Sequence, residues 1–171
     1  EKETGTMEIL LVSPMNSLFV ILSKAVPYFV LSILNLTTIL LLSFFVLDVP
    51  IAGSLTALVG VSLVFIFVSL ALGLLISNVT QTQVAAMLAS GMVLMLPTII
   101  LSGIIFPIES MPGILQGISC FIPARWYVSI VRRIMIEGVP FMYVWKETAI
   151  LLFMAVVLIG ITTRTFKNRL E

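Results

Sequence analysis

Apolar residues run along this chain in long blocks, and the polar positions that interrupt them fall at a few narrow places. Residues 25–47 carry no charged side chain and end at Asp48, Val49 and Pro50, with Gly53 close behind. A second block, 55–76, runs into the polar stretch from Ser77 to Gln83. A third, 84–106, stops at Pro107, and a fourth, 146–163, opens on Lys146 and Glu147 and closes on the basic tail Arg164, Lys167 and Arg169. Each approaches or exceeds the roughly 20 residues that cross a bilayer as helix. Lipid offers backbone groups no partner, so each crossing is helix or part of a closed barrel. Barrel strands alternate apolar and polar residues; none of these blocks does, and four transmembrane helices are predicted.

Between the third and fourth blocks, residues 107–143 are too hydrophobic for a solvated loop, and Pro107, Pro112, Pro123 and Pro140 interrupt them too often for another span. Residues 113–122 have the length of a re-entrant or interfacial helix. Residues 124–137 form a second piece, with Gly138 and Pro140 as its stop signal. On it Arg125, Ser129, Arg132 and Arg133 make one polar stripe at i, i+4, i+7 and i+8, expected to rest among headgroups or, in a second reading, to guide a substrate. Arg133 stands one turn from Glu137, a spacing that suits an ion pair. At the chain start, Met7, Leu10, Leu11, Leu18, Ile21 and Leu22 recur at helical spacing, so residues 1–23 read as an amphipathic segment along the membrane surface. Ser13-Pro14 looks like an N-cap followed by proline at the first helical position. The expectation is a short helix, a break, and a second helix leading into the first span, with Pro27 as a kink.

Composition narrows the chemistry. Of 171 residues, 60% are hydrophobic and 10% charged, against about 45–50% apolar and about 25% charged in soluble domains. A water-soluble globule is excluded. From Asp48 to Glu109 sixty consecutive positions carry no charge. The net charge of +1 provides no field for nucleic acid. Histidine is absent and Cys120 is the one cysteine, which removes imidazole metal sites, His-based acid–base chemistry and an internal disulfide. With Asp48 the sole aspartate, each known route to intramembrane proteolysis lacks a part, and no catalytic residue, metal or cofactor is expected. A proton- or sodium-coupled carrier keeps ionisable groups or broken helices near mid-membrane, whereas the first three spans hold no Asp, Glu, Lys, Arg or His. No phosphate-cradling Gly-x-x-x-x-Gly-Lys-(Ser/Thr) loop is present, so a transporter built from this chain needs a separate ATPase. The alternative is a non-transporting membrane scaffold or assembly subunit.

Four crossings place both ends on one side. That side would hold Lys2, Lys24, Arg164, Lys167 and Arg169, against Arg125, Arg132, Arg133 and Lys146 opposite, a bias too small to orient the chain. Trp126, Tyr127, Tyr143 and Trp145 fall on the face opposite the ends, where an interfacial aromatic belt sits. Within the spans, Ser69 with Gly73 and Ala85 with Ala89 have small-xxx-small spacing, expected to serve packing within the chain. Ser32, Asn35, Thr37 and Thr38 either line a pathway, with Asn35 and Thr38 the candidates, or satisfy one another between helices. Pro97 removes the hydrogen bond to the Val93 carbonyl and is expected to kink the third span.

Two landmarks carry a resemblance. Glu1-Lys2-Glu3-Thr4-Gly5-Thr6-Met7-Glu8-Ile9-Leu10-Leu11-Val12-Ser13-Pro14 resembles the Glu-(Arg/Lys)-Glu-x-Gly-Thr-x-Glu-x-Leu-Leu-x-(Ser/Thr)-Pro signature of type 2 ATP-binding cassette (ABC) transporter permeases. Leu101-Ser102-Gly103, the run Phe106 to Pro112, and the later Pro123, Arg132 and Gly138 look like that family's second landmark. Together they cover essentially the whole chain. The resemblance implies an exporter permease of the cell inner (plasma) membrane, with both ends of this segment cytoplasmic. It implies an ABC ATPase subunit docked at Glu3, Thr4, Gly5, Thr6, Glu8 and Leu11, and a second permease chain, identical or related. It also puts Glu109, Arg125 and Arg132 in an external segment of short re-entrant helices. Family members usually carry a first span, an external domain and a second span before the Glu-Lys-Glu motif, so this chain is expected to be the C-terminal portion of a longer permease.

The fold expected is therefore an all-α polytopic membrane protein, one transmembrane domain over 1–171. Its parts are an amphipathic cytoplasmic coupling segment (1–23), four transmembrane helices (25–47, 55–76, 84–106, 146–163) and an external re-entrant segment (107–143).

Overall fold

The computed structural model describes residues 17–49 and 52–167. Glu3, Thr4, Gly5, Thr6, Glu8 and Leu11, and with them most of the amphipathic segment, lie outside those residues. Four helices long and apolar enough to cross a membrane are present among the described residues: Ser23–Phe45, Leu55–Val79, Gln83–Leu101 and Trp145–Thr165. The chain is an all-α polytopic membrane protein.

The first span belongs to a longer helix, α1 (Ser17–Phe45), with Pro27 inside it. The break expected at Ser13-Pro14 lies outside the described residues; from Ser17 the helix runs without interruption into the span, with no glycine or proline between Ser17 and Lys24 to stop it. The second span is α2 (Leu55–Val79), whose N-cap Ser54 accepts a bond from the Ala57 amide at 3.4 Å. In the third span α3 (Gln83–Ala89), capped by Thr82, passes through a π turn (Ser90–Met95) into α4 (Leu96–Leu101). The kink expected at Pro97 takes this form. The amide of Leu96 reaches back five residues to the Gly91 carbonyl, a wider turn in which the missing donor of Pro97 is absorbed. The span ends at Leu101 rather than near residue 106, because Gly103 takes φ = 85° and turns the chain out of the helix.

The segment between the third and fourth spans holds a 3₁₀ turn (Ile108–Ser110), α5 (Gly113–Ser119), α6 (Pro123–Met135) and a second 3₁₀ turn (Phe141–Tyr143) before α7 (Trp145–Lys167) forms the last span. The helices α5 and α6 meet at a bend of 87°.

The core lies where α2, α6 and α7 converge. Leu58 and Val61, Ile130 and Ile134, and Val144 with Leu151 form one buried cluster. Lipid tails are as apolar as leucine, so dispersion and close fit rather than water exclusion hold the part of this cluster that lies in hydrocarbon. In contrast, no described side chain of α1 is buried, and little of the third span is. The small-residue pairs do not form seams within the chain. Ser69, Gly73 and Ala85 are exposed, and a β-carbon added at Gly73 would meet nothing within 4 Å.

Candidate functional site

The arginines expected to form one headgroup-facing stripe do three different jobs. Arg125 braces the bend between α5 and α6. Its Nη1 donates to the Gln116 carbonyl at 2.9 Å, to Ser119 Oγ and to Cys120 Sγ at 3.1 Å. The Trp126 indole donates to the Cys120 carbonyl at 3.0 Å, and the Arg125 guanidinium stands 5.3 Å from the centre of its ring. Helix α5 is too short to satisfy its last carbonyls, and the arginine that begins the next helix takes over that duty. Arg132 is exposed and makes only a long contact, 3.5 Å, to the Gly103 carbonyl at the end of the third span.

Arg133 does not pair with Glu137. Helix α6 ends at Met135, Gly138 takes φ = 64°, and Glu137 is exposed past the last turn, where the i+4 geometry no longer holds. Arg133 Nη1 instead meets Glu147 Oε1 at 2.8 Å, in the first turn of α7. A carboxylate there also suits the positive end of the helix dipole. Glu109, in the first 3₁₀ turn, is exposed.

Two of the four belt aromatics pack inward. The Tyr127 ring stacks on Phe65 of α2, with centroids 4.2 Å apart and planes 3° from parallel. Buried Ser62 donates to the Leu58 carbonyl at 2.7 Å, so the Tyr127 hydroxyl, 2.9 Å away, is the donor to Ser62 Oγ. Sequence spacing gave no signal for this pair. Trp126 serves the bend as described, while Tyr143 and Trp145 stay exposed as a belt requires.

The loop between α1 and α2 is locked against the end of α6. The Ala52 amide donates to the Met135 carbonyl at 3.2 Å. Gly53 lies so close to α6 that a β-carbon there would sit 2.6 Å from the Ile134 carbonyl oxygen. Helices α5 and α6, the α1–α2 loop and the start of α7 thus form one cap over the spans.

Along α1, the polar residues do not satisfy one another between helices. Ser32 donates to the Tyr28 carbonyl at 2.8 Å, Thr37 to Ile33 at 2.9 Å and Thr38 to Leu34 at 2.8 Å, each within its own helix. Asn35 and Thr38, three residues apart, share an exposed face of the first span.

Comparison with known proteins adds the family context. The family described as ABC-2 family transporter protein matches residues 1–164. The Escherichia coli K12 protein named probable multidrug ABC transporter permease YbhS is 38% identical to the whole chain, which spans 45% of it. The similarly named YbhR is 32% identical over 86% of the chain and 40% of its own length. The inner membrane transport permease YhhJ is 33% identical over 86% of the chain and 39% of its own length. The chain spans less than half the length of these relatives. No solved structure matches it.

Proposed function

This chain belongs to the ABC-2 transporter family, and from that premise we propose that it forms part of the translocation path of an exporter driven by a separate ATPase subunit. The match that carries the reading runs unbroken from the Gly5-Thr6 motif through the external helices. Spans free of charge along most of their length provide a passage without a coupling-ion site, consistent with energy supplied from another polypeptide. The exposed faces of α1 and of the third span are the surfaces offered to a second permease chain, identical or related, and in this reading Asn35 and Thr38, both exposed, line the path between the two chains. Both ends of this segment lie in the cytoplasm of a cell whose inner membrane holds the protein. The cap of α5 and α6 then faces outward, with Glu109, Arg125 and Arg132 at the exit.

In this mechanism Glu3, Thr4, Gly5, Thr6, Glu8 and Leu11 receive the ATPase. Closure of two nucleotide-binding subunits pushes that segment and tilts the paired spans between two arrangements, so the path opens alternately to each side. Glu8 presents a charge to basic groups of the partner, and Gly5 gives the turn its freedom. The names of two relatives point to drug-like organic molecules as cargo.

The test is flux of a fluorescent drug-like dye into proteoliposomes holding the full-length permease, with and without its ATPase subunit. ATP-dependent accumulation is expected only with both. Uphill movement by the permease alone would overturn the proposal, and no flux from an intact complex across a panel of such dyes would favour a scaffold role. A Gly5→Trp/Thr6→Glu double variant should hydrolyse ATP without moving dye; unchanged coupling would remove this segment from the mechanism.

A further inference from the structure

Two hydrogen-bonding groups near the middle of the spans have no partner among the described residues. The first is the side-chain amide of Asn35 on α1, which is exposed. Ser32, Thr37 and Thr38 around it bond back into their own helix, and Asn35 does not. The second is the main-chain carbonyl of Met92 in the third span. The π turn that absorbs the missing donor of Pro97 passes the shortfall to this residue. Of the amides four and five places on, that of Leu96 donates to Gly91, and Pro97 has none to offer. No residue from Gln83 to Met95 is buried, so no described residue covers that carbonyl.

The two groups lie at one depth. Asn35 stands one residue past the middle of Ser23–Phe45, and Met92 is the middle residue of Gln83–Leu101. With both spans centred on the bilayer, a rise of 1.5 Å per residue brings the two depths within about 2 Å of each other. Hydrocarbon can satisfy neither a free amide nor a free carbonyl there. Both faces are otherwise apolar: exposed Leu31, Leu34 and Ile39 flank the amide, and exposed Leu88, Leu96 and Ile99 follow the carbonyl along its helix. Within one chain α1 packs on α2 and α7, and both groups stay uncovered.

We propose that α1 packs against the third span of a second copy of this chain, with the Asn35 amide donating to the partner's free main-chain carbonyl at the π turn. One group is a donor and the other an acceptor, so each meets what it lacks, and a two-fold axis makes the bond twice. Asparagine serves transmembrane helices as this kind of polar link, and the apolar side chains on either side supply the close packing around it. Proline in the third span then acts at a distance: by withholding one amide it opens an acceptor for the partner. Asn35 thereby joins the two chains where it forms part of the wall of the path. The contact deepens the pairing of two permease chains proposed above and rests on that part of it, and on neither the ATPase nor the direction of transport.

Oxidative cross-linking in membranes tests the contact, using full-length permease otherwise free of cysteine. Copies carrying Asn35→Cys, co-expressed with copies carrying Met92→Cys or Leu96→Cys, should form a disulfide-linked dimer with copper phenanthroline, and no variant should do so alone. A dimer from Asn35→Cys copies alone, or none in either mixture, overturns the proposal. Energy transfer between dye-labelled copies in liposomes gives a second readout. Asn35→Leu should raise dimer dissociation about threefold, the effect of one hydrogen bond between transmembrane helices. Pro97→Ala returns an amide to the third span, so Asn35→Leu in that background should cost less than in the wild type. Unchanged dissociation in Asn35→Leu, or the same threefold loss in the Pro97→Ala background, also overturns the contact. Dimers joined through α1 alone would keep the paired-chain reading and remove this seam. Loss of ATP-driven dye flux with the mixed cross-link intact would count against the proposed function and leave the seam standing.

Discussion

Arg133 and Glu147, fourteen residues apart, form an ion pair of 2.8 Å that fastens helix α6 to the first turn of the last span. The second carboxylate oxygen of Glu147 is buried and without a partner, so the carboxylate depends on this one guanidinium. The pair closes the cap directly beside the core contributed by Ile134, Val144 and Leu151.

Arg133→Ala should destabilise the full-length permease more than Glu147→Gln, because it strands a buried carboxylate while the glutamine variant removes the charge. The Arg133 side chain is 40% exposed, so solvent screening holds the cost to about 1–2 kcal/mol, below the 3–5 kcal/mol of a fully buried pair. Thermal unfolding in detergent measures this. The double Arg133→Ala/Glu147→Ala variant should lose less than the two single alanine losses combined.

The packing at Gly53 leads to a contrast between two glycines. Gly53→Ala puts a methyl group 2.6 Å from the Ile134 carbonyl oxygen and should cost about 1–3 kcal/mol. Gly60→Ala, in the middle of α2 with nothing within 4 Å of the added carbon, should gain about 0.5–1 kcal/mol. Equal melting temperatures for the two variants would contradict the locked loop.

For Tyr127, the hydroxyl and the ring separate. Tyr127→Phe keeps the stack on Phe65 and leaves Ser62 bonded to Leu58, so it should cost about 0.5–1.5 kcal/mol. Tyr127→Ala also removes the ring from a half-buried site and should cost about 2–3 kcal/mol. Unfolding midpoints of the two variants order these effects.

Topology is open to chemical labelling. Cys120 is exposed beside the α5–α6 bend. In a full-length permease otherwise free of cysteine, a membrane-impermeant maleimide should label it in intact cells. Thr6→Cys, in a Cys120→Ser background, should be labelled only after the membrane is opened. The reverse pattern would invert the proposed orientation.

The number and approximate place of the spans were legible in the sequence, since a helix in lipid needs little more than an uninterrupted apolar length, and that length is local. The division of the segment between the third and fourth spans was legible for a similar reason. Prolines and Gly138 punctuate the chain through their own backbone limits, whatever surrounds them. Even so, the end of the third span shifted, because Gly103 stops that helix early.

Local spacing could offer Arg133 only a neighbour one turn away, yet its partner comes from another helix, as does the Ser62 that Tyr127 reaches across 65 positions. Uniformly apolar spans carry no periodic stripe to say which face turns inward, because lipid and protein interior are equally acceptable to leucine. The small-residue pairs showed this: spacing allowed close approach, but the packed arrangement left Ser69, Gly73 and Ala85 exposed. The chain's own residues thus determined that it crosses the membrane, and where it bends. Only the tertiary structure decided which faces meet, because that choice rests on shape and on single polar contacts between distant segments.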